Sequence, residues 1–411
     1  MKNGGGPRRR RQAGMGAERR PFERTGGMLK GFMDHWVPTR DNISGFWKLD
    51  FEAAAKTIDE LKRDIDFNNF TFYTKWYTNG IRSELPYLCN HPEASNVKTN
   101  NEWGRRIVSH LHEKNVSVGA MIQFLTYDRQ VWERELTIDE WDVGEFAETD
   151  FPVRIADFTN PLFQIRIKEI IKEHLTQFPG IDYLFLEFEG VKSAALQAIY
   201  EKWAQDKGLP GPENVHYDPE RAAHCERIGQ QPELIWSDEV HAMMRHYYGL
   251  NLRAVQEAAD ELGYEGIVGV VYHAYGYEAF IYPDIVPDAR WWLVPWNYWV
   301  FEDESERTER RKQASKELME KWKRDGHSVC YIGDVTMGRN GFDPAVKTKD
   351  IRDFYDFSVR LGLDGYLGMG NPVPEVGLKW QAVTDEHVLE ARKLYRELYG
   401  EGEGVGAGEG V

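Results

Sequence analysis

Cysteine is nearly missing from this chain: there are three, Cys89, Cys225 and Cys330, far apart and odd in number. They suit neither a disulfide framework nor a paired-cysteine zinc site, and are expected as structural thiols in a reducing compartment. No apolar run approaches the roughly 18 residues that a membrane-spanning helix needs. The basic residues near the N-terminus are not followed by an apolar segment, so no secretory signal is expected and the location is read as cytoplasmic. Positive charge is in deficit, with 51 Lys and Arg against 67 Asp and Glu and a formal charge of -16. That balance repels phosphate backbones and anionic membranes, which excludes nucleic acid and membrane as partners. The chain also lacks a phosphate-binding loop, a dinucleotide fingerprint, a GxSxG elbow and an HExxH zinc motif. Neither a cofactor nor a resident metal is expected, and the oligomeric state is not legible.

The two ends are read as tails. Residues 1–27 carry Gly and Arg (Arg8 to Arg11, Arg19, Arg20, Arg24) without apolar periodicity, and residues 401–411 alternate Gly and Glu, so both are expected to be disordered. Met28 offers an alternative start. Between them, over 28–400, eight short apolar runs rich in strand-forming residues alternate with segments of helical period. The runs are 28–36, 69–76, 117–125, 182–189, 267–273, 291–297, 328–334 and 365–371.

Start and stop chemistry marks the helices between them. Asn160-Pro161 is a cap followed by proline at the first helical position, ahead of a stripe of Phe163, Ile167, Ile170 and Ile171. Thr384, Asp385 and Glu386 open a last helix with Val388, Ala391, Leu394 and Leu398 on one face, and Gly362 reads as a helix end. Eight strands joined by right-handed crossovers predict an α/β fold, a (β/α)8 TIM barrel. Two links are unusual: the one from His273 to Trp291 is too short for a full helix, and the stretch 190–263 is far longer than a crossover needs. The second is expected to form a helical insertion after strand 4, capping the barrel beside its mouth, with Trp203, His216, Tyr217 or Trp236 as possible contacts.

Barrel active sites lie at the C-terminal ends of the strands. Those ends are polar here: Asp34 with His35, Lys75, Gln123, Glu187 with Glu189, His273, Asn297, Asp334 and Asn371. In Leu184-Phe185-Leu186-Glu187-Phe188-Glu189, side chains two apart share a face, so both glutamates point into the mouth while Leu184, Leu186 and Phe188 face the helices. Two carboxylates in one confined site cannot both ionise freely, so one is expected to keep its proton and serve as a general acid. Asp334 shares a face with Cys330 and Ile332 and supplies an opposing carboxylate, as base or nucleophile. The alternatives for these acids are an anchor neutralised by Lys75 or an arginine, a loop cap at Asp334, or a metal site of Glu187, Glu189, His273 and Asp334. Aromatic residues crowd the same ends, as at Trp36, Tyr275 and Trp296, beside amides, His35 and His273. Sugar rings stack their C–H faces on such rings while their hydroxyls bond to polar neighbours.

The segment from Gly180 to Glu189, Gly-Ile-Asp-Tyr-Leu-Phe-Leu-Glu-Phe-Glu, resembles the fourth strand of TIM-barrel glycoside hydrolases of the α-glucuronidase and hexosaminidase-like kind. Those strands end in an acid, and the resemblance implies that role for Glu189. The chain departs from them in having neither an Asp-Glu nor an Asn-Glu pair there, so the acid and the stereochemical course are not transferred. The expected activity is hydrolysis of a glycosidic bond in a carbohydrate substrate. Glu189, Glu187 and Asp334 would be catalytic, with His35, Trp36, Lys75, Gln123, His273, Tyr275, Trp296, Asn297 and Asn371 at the sugar. A metal-dependent sugar isomerase, epimerase or lyase, and a non-catalytic carbohydrate-binding barrel, are the rival readings.

Overall fold

The computed structural model describes residues 27–34, 46, 49–76, 79–80, 101–124, 126–128, 153–155, 157–188, 193–296, 305–334, 344–370, 372–374 and 384–400. Eight parallel strands form its centre: β1 (Leu29–Asp34), β2 (Asn69–Trp76), β3 (Ser117–Gln123), β4 (Tyr183–Glu187), β5 (Ile267–His273), β6 (Trp291–Trp296), β7 (Ser328–Asp334) and β8 (Gly365–Met369). Each pairs with its neighbours in chain order, and β8 returns to β1, closing the sheet. The fold is a (β/α)8 TIM barrel, and every expected apolar run supplies one strand. Closure leaves no unpaired edge, and a parallel barrel buried on both faces explains why the runs are almost continuously apolar.

Among the described residues, ten helices surround it: α1 (Phe51–Asp64), α2 (Asn101–Glu113), α3 (Pro161–Gln177), α4 (Ser193–Lys207), α5 (Pro219–Arg227), α6 (Asp238–Glu261), the single turn α7 (Tyr282–Ile285), α8 (Glu306–Arg324), α9 (Pro344–Leu361) and α10 (Asp385–Gly400). The local signals act as expected. Asn160 caps α3 by accepting from Leu162 N–H at 3.0 Å, and Asp50 caps α1 by accepting from Ala53 N–H at 2.8 Å. Gly362 follows α9 at φ 67°, a left-handed position that glycine adopts without a steric cost.

Between β4 and β5 the chain makes three helices. The last, α6, packs along α3 as a ring helix does, while α4 and α5 precede it. The short link after β5 holds only a 3-10 turn (Tyr277–Phe280) and α7. The arc it leaves is covered by α5, which packs against α8. A second small core joins them, built from Cys225, Ile228, Trp236, Tyr275 and Ala314. A cavity of about 350 Å³ remains there, bordered by Asp218, Arg221, Arg245, Pro283, Trp322 and His327.

Both described cysteines, Cys225 and Cys330, are free and buried. Burial pushes the Cys225 thiol up to about 11 and the Cys330 thiol well above its ordinary range, so both are held as unreactive thiols. Among the described residues, no helix is long and apolar enough to cross a membrane.

Candidate active site at the barrel mouth

The direction of each strand-end side chain follows from the packing lower in the barrel. A Cβ placed on Gly269 would lie 2.6 Å from Phe185 Cδ1 and 2.7 Å from Val294 Cγ2, so these three residues of β4, β5 and β6 share one face. The opposite face meets the helices: Phe188 lies 6.1 Å from Tyr248 of α6, Tyr272 lies 5.7 Å from Trp322 of α8, and Tyr331 stacks on Phe354 of α9 at 4.9 Å. Strand alternation then aims Glu187, His273 and Trp296 into the barrel. Deeper in the same interior, Thr71 Oγ1 donates to Asn69 Oδ1 at 2.9 Å, and Asn69 Nδ2 donates to Ser117 Oγ at 3.0 Å. Gly31 and Gly119 give that network its room: a Cβ on Gly31 would meet the Asn69 backbone, and one on Gly119 would meet Thr71 Oγ1.

Glu187 closes β4 and is 1 % exposed. Its carbonyl accepts from Phe124 N–H at 3.0 Å, tying the end of β3 to the end of β4. One strand over, His273 and Trp296 are register partners with ring centroids 5.7 Å apart, and Tyr275 lies 6.1 Å from His273. The Arg311 guanidinium sits 5.1 Å over the Tyr275 ring. A buried carboxyl group therefore ends β4, and an aromatic cluster ends the two strands that follow it. That combination can present a proton donor or a charge to a ligand whose apolar face is stacked. Among the described residues, no three His, Cys, Asp or Glu side chains gather as metal ligands.

The structure brings the rings of His273, Tyr275 and Trp296 together, and places Glu187 on the neighbouring strand β4, where it pairs in register with Val271. Lys75, Gln123 and Asp334 are placed on β2, β3 and β7, but their side chains lie outside the described residues, as do Glu189, His35, Trp36, Asn297 and Asn371 altogether. Asp34 belongs elsewhere. It follows the inward Met33, so it faces the helix layer, and its Oδ2 accepts from Phe46 N–H at 3.0 Å to hold the loop after β1. The Phe46 ring packs on Phe70 at 5.1 Å.

One buried acid had no place in the sequence reading. Glu278, five residues beyond β5, is 3 % exposed and turns back so that its Oε2 lies 2.6 Å from where a Gly276 Cβ would be. Tyr248, Tyr272, Tyr277 and Tyr282 surround it. Burial pushes the last three phenols well above their usual range, and the Glu278 charge pushes the same way; at Tyr282 the charge of Glu187 adds to it. An acid spaced among Tyr275, Tyr277 and Phe280, in a link too short for a helix, was the available signal.

No protein-family model and no curated protein matches this sequence. Among solved structures, one of the tandem catalytic modules of the pneumococcal exo-β-D-N-acetylglucosaminidase superposes with a TM-score of 0.52 at 8% identity, over 90% of this chain and 84% of that one. A broad-specificity endoglucanase from an uncultured bacterium gives 0.50 at 9% identity, over 91% and 94%. A cycloisomaltooligosaccharide glucanotransferase from Paenibacillus sp. gives 0.45 at 11% identity, and the chain spans 38% of its length. At such identities the likeness is one of fold: the chain shares the barrel architecture of structures solved as glycoside hydrolases.

Proposed function

We propose that this protein hydrolyses a glycosidic bond, with Glu187 or Glu189 as general acid and Asp334 as base or nucleophile. The observation that carries the reading is the burial of Glu187 on the inward face at the end of β4, the strand that pairs with the one ending in His273. Burying a carboxyl group costs free energy, and a position at the mouth of a barrel is where that cost is met by function. The carbohydrate activities named for the pneumococcal module and the endoglucanase support the same reading. Trp36, Tyr275 and Trp296 would stack on the sugar, and His35, Lys75, Gln123, His273, Asn297 and Asn371 would bond its hydroxyls. The inserted stretch after β4 would wall the mouth.

A panel of aryl glycosides and oligosaccharides tests it, with Glu187→Gln and Glu189→Gln beside the wild type. Glutamine keeps the volume but donates no proton to a leaving oxygen, so one variant should lose roughly a hundred- to ten-thousand-fold in rate. The loss should shrink on substrates with good leaving groups. Two variants as active as the wild type, or a wild type silent on the whole panel, would overturn the proposal. Sugar isomerisation abolished by a chelator would replace it with the metal-dependent reading.

A further inference from the structure

We propose that His224, on the inserted helix α5, is a positioning residue that sets the turn carrying His273 and Tyr275 at the barrel mouth. The proposal rests on the reading of those rings as a sugar site and adds a residue that does not itself touch the sugar.

His224 is 2 % exposed, and both of its ring nitrogens are engaged. Nδ1 lies 2.9 Å from Arg227 Nη2, and Nε2 lies 2.9 Å from the carbonyl oxygen of Tyr275. A guanidinium only donates, so Nδ1 accepts; a carbonyl only accepts, so Nε2 carries the proton. The partners thus select one neutral tautomer. Burial, first, and the neighbouring Arg227 charge hold the ring below the usual histidine range, in keeping with that assignment. Arg227 also bonds Glu317 of α8, so a relay runs from α8 through α5 to the backbone behind β5.

The anchored carbonyl is two residues from His273, and the turn between them is closed by Gly276 N–H donating to His273 O at 3.0 Å. A shift of Tyr275 therefore moves both rings. Among the described residues, the side chain of His224 makes no other hydrogen bond. It packs edge-on to Phe280 at 4.9 Å, within the same segment. A histidine serving only to fill this small core would need no proton placed on one chosen nitrogen.

The test compares the wild type with His224→Phe, which fills the core without a donor, and His224→Gln, which restores an amide donor. Arg227→Met, at a partly exposed position, frees Nδ1 while leaving the ring in place. Backbone hydrogen exchange at Gly276, Ala279 and Ile281 reads the turn directly. Loss of a buried hydrogen bond should speed exchange there about five- to a hundred-fold in His224→Phe. A smaller rise is expected in Arg227→Met, recovery in His224→Gln, and no change in β3 and β4. On the aryl glycoside that the wild type hydrolyses best, KM should rise about tenfold in His224→Phe with kcat within threefold. Unchanged exchange at the turn, or a rise spread evenly over the barrel, would overturn the positioning role. A wild type that hydrolyses no glycoside while exchange behaves as expected would overturn the proposed function and leave His224 as the holder of this turn.

Discussion

Replacing Gly269 by alanine tests the packing that sets the inward face of β4, β5 and β6. The added methyl would sit 2.6 Å from Phe185 Cδ1 and 2.7 Å from Val294 Cγ2, closer than carbon atoms approach without movement. Overpacking of this kind costs about 1–3 kcal/mol. Gly269 is not among the glycines with positive φ, so alanine also restricts the unfolded chain and returns roughly 0.4–1 kcal/mol. The expected net loss is about 1–2 kcal/mol, read as a lower urea midpoint at an unchanged slope. Phe185→Leu alone should destabilise by opening space. Combined with Gly269→Ala it should cost less than the two single losses added, by about 0.5–3 kcal/mol, because the branch vacates the volume that the methyl enters. A Gly269→Ala protein as stable as the wild type, or strictly additive losses, would refute the shared inward face. It would then also remove Glu187 from the mouth, since a one-residue change of face reverses a whole strand.

Other perturbations probe separate parts of the molecule. Burial first, then the charges of Arg221 and Arg245, drive the His241 ring down to about 3. The unfolded ring takes its proton near pH 6.5, so this contribution is complete above about 6.5 and falls by about 1.4 kcal/mol per pH unit towards 3. His241→Phe, which keeps a ring against Trp236, should flatten the acid-side decline in urea midpoint between pH 7 and 4.5; parallel curves would refute the assignment. Asn69→Ala breaks the network joining Thr71, Asn69 and Ser117 in the barrel interior and should cost about 1–3 kcal/mol by the same assay, whereas an unchanged midpoint would show the network to be idle.

The barrel was legible because its strands are buried on both faces and so read as compact apolar runs, with cap chemistry such as Asn160-Pro161 marking a helix between them. What escaped lies where those signals fade. Helix α5, Pro-Glu-Arg-Ala-Ala-His-Cys-Glu-Arg, has no broad apolar stripe, because its inner face is satisfied by His224 and Arg221 as much as by Cys225. Its Asp218-Pro219 start was nonetheless the same cap-and-proline signal that marked α3. Glu278 was passed over because only the last residues of each run were taken as candidates, and it follows β5 by a turn. Asp34 was counted at the mouth because it ends its strand, but alternation from Met33 turns it to the helices. Glu187, His273 and Trp296 keep the direction that period two gives them because the register runs without a bulge on β4, β5 and β6.

The placement of α5 also orders the events of biosynthesis. This helix precedes in the chain every surface that it covers: the Tyr275 carbonyl lies 51 residues later, and Glu317 of α8 lies 90 residues later. Elsewhere a ring helix can pack on strands already made, as α9 can on β7 during N-to-C emergence. The wall at β5 and β6 is covered in the reverse sense, by a segment made early that must stay open until its seat exists. A nascent chain stalled before Tyr275 therefore lacks Tyr275 and Ala314, which complete the small core on Cys225, Ile228 and Trp236. This arc of the shell is completed late, whichever end of the barrel folds first.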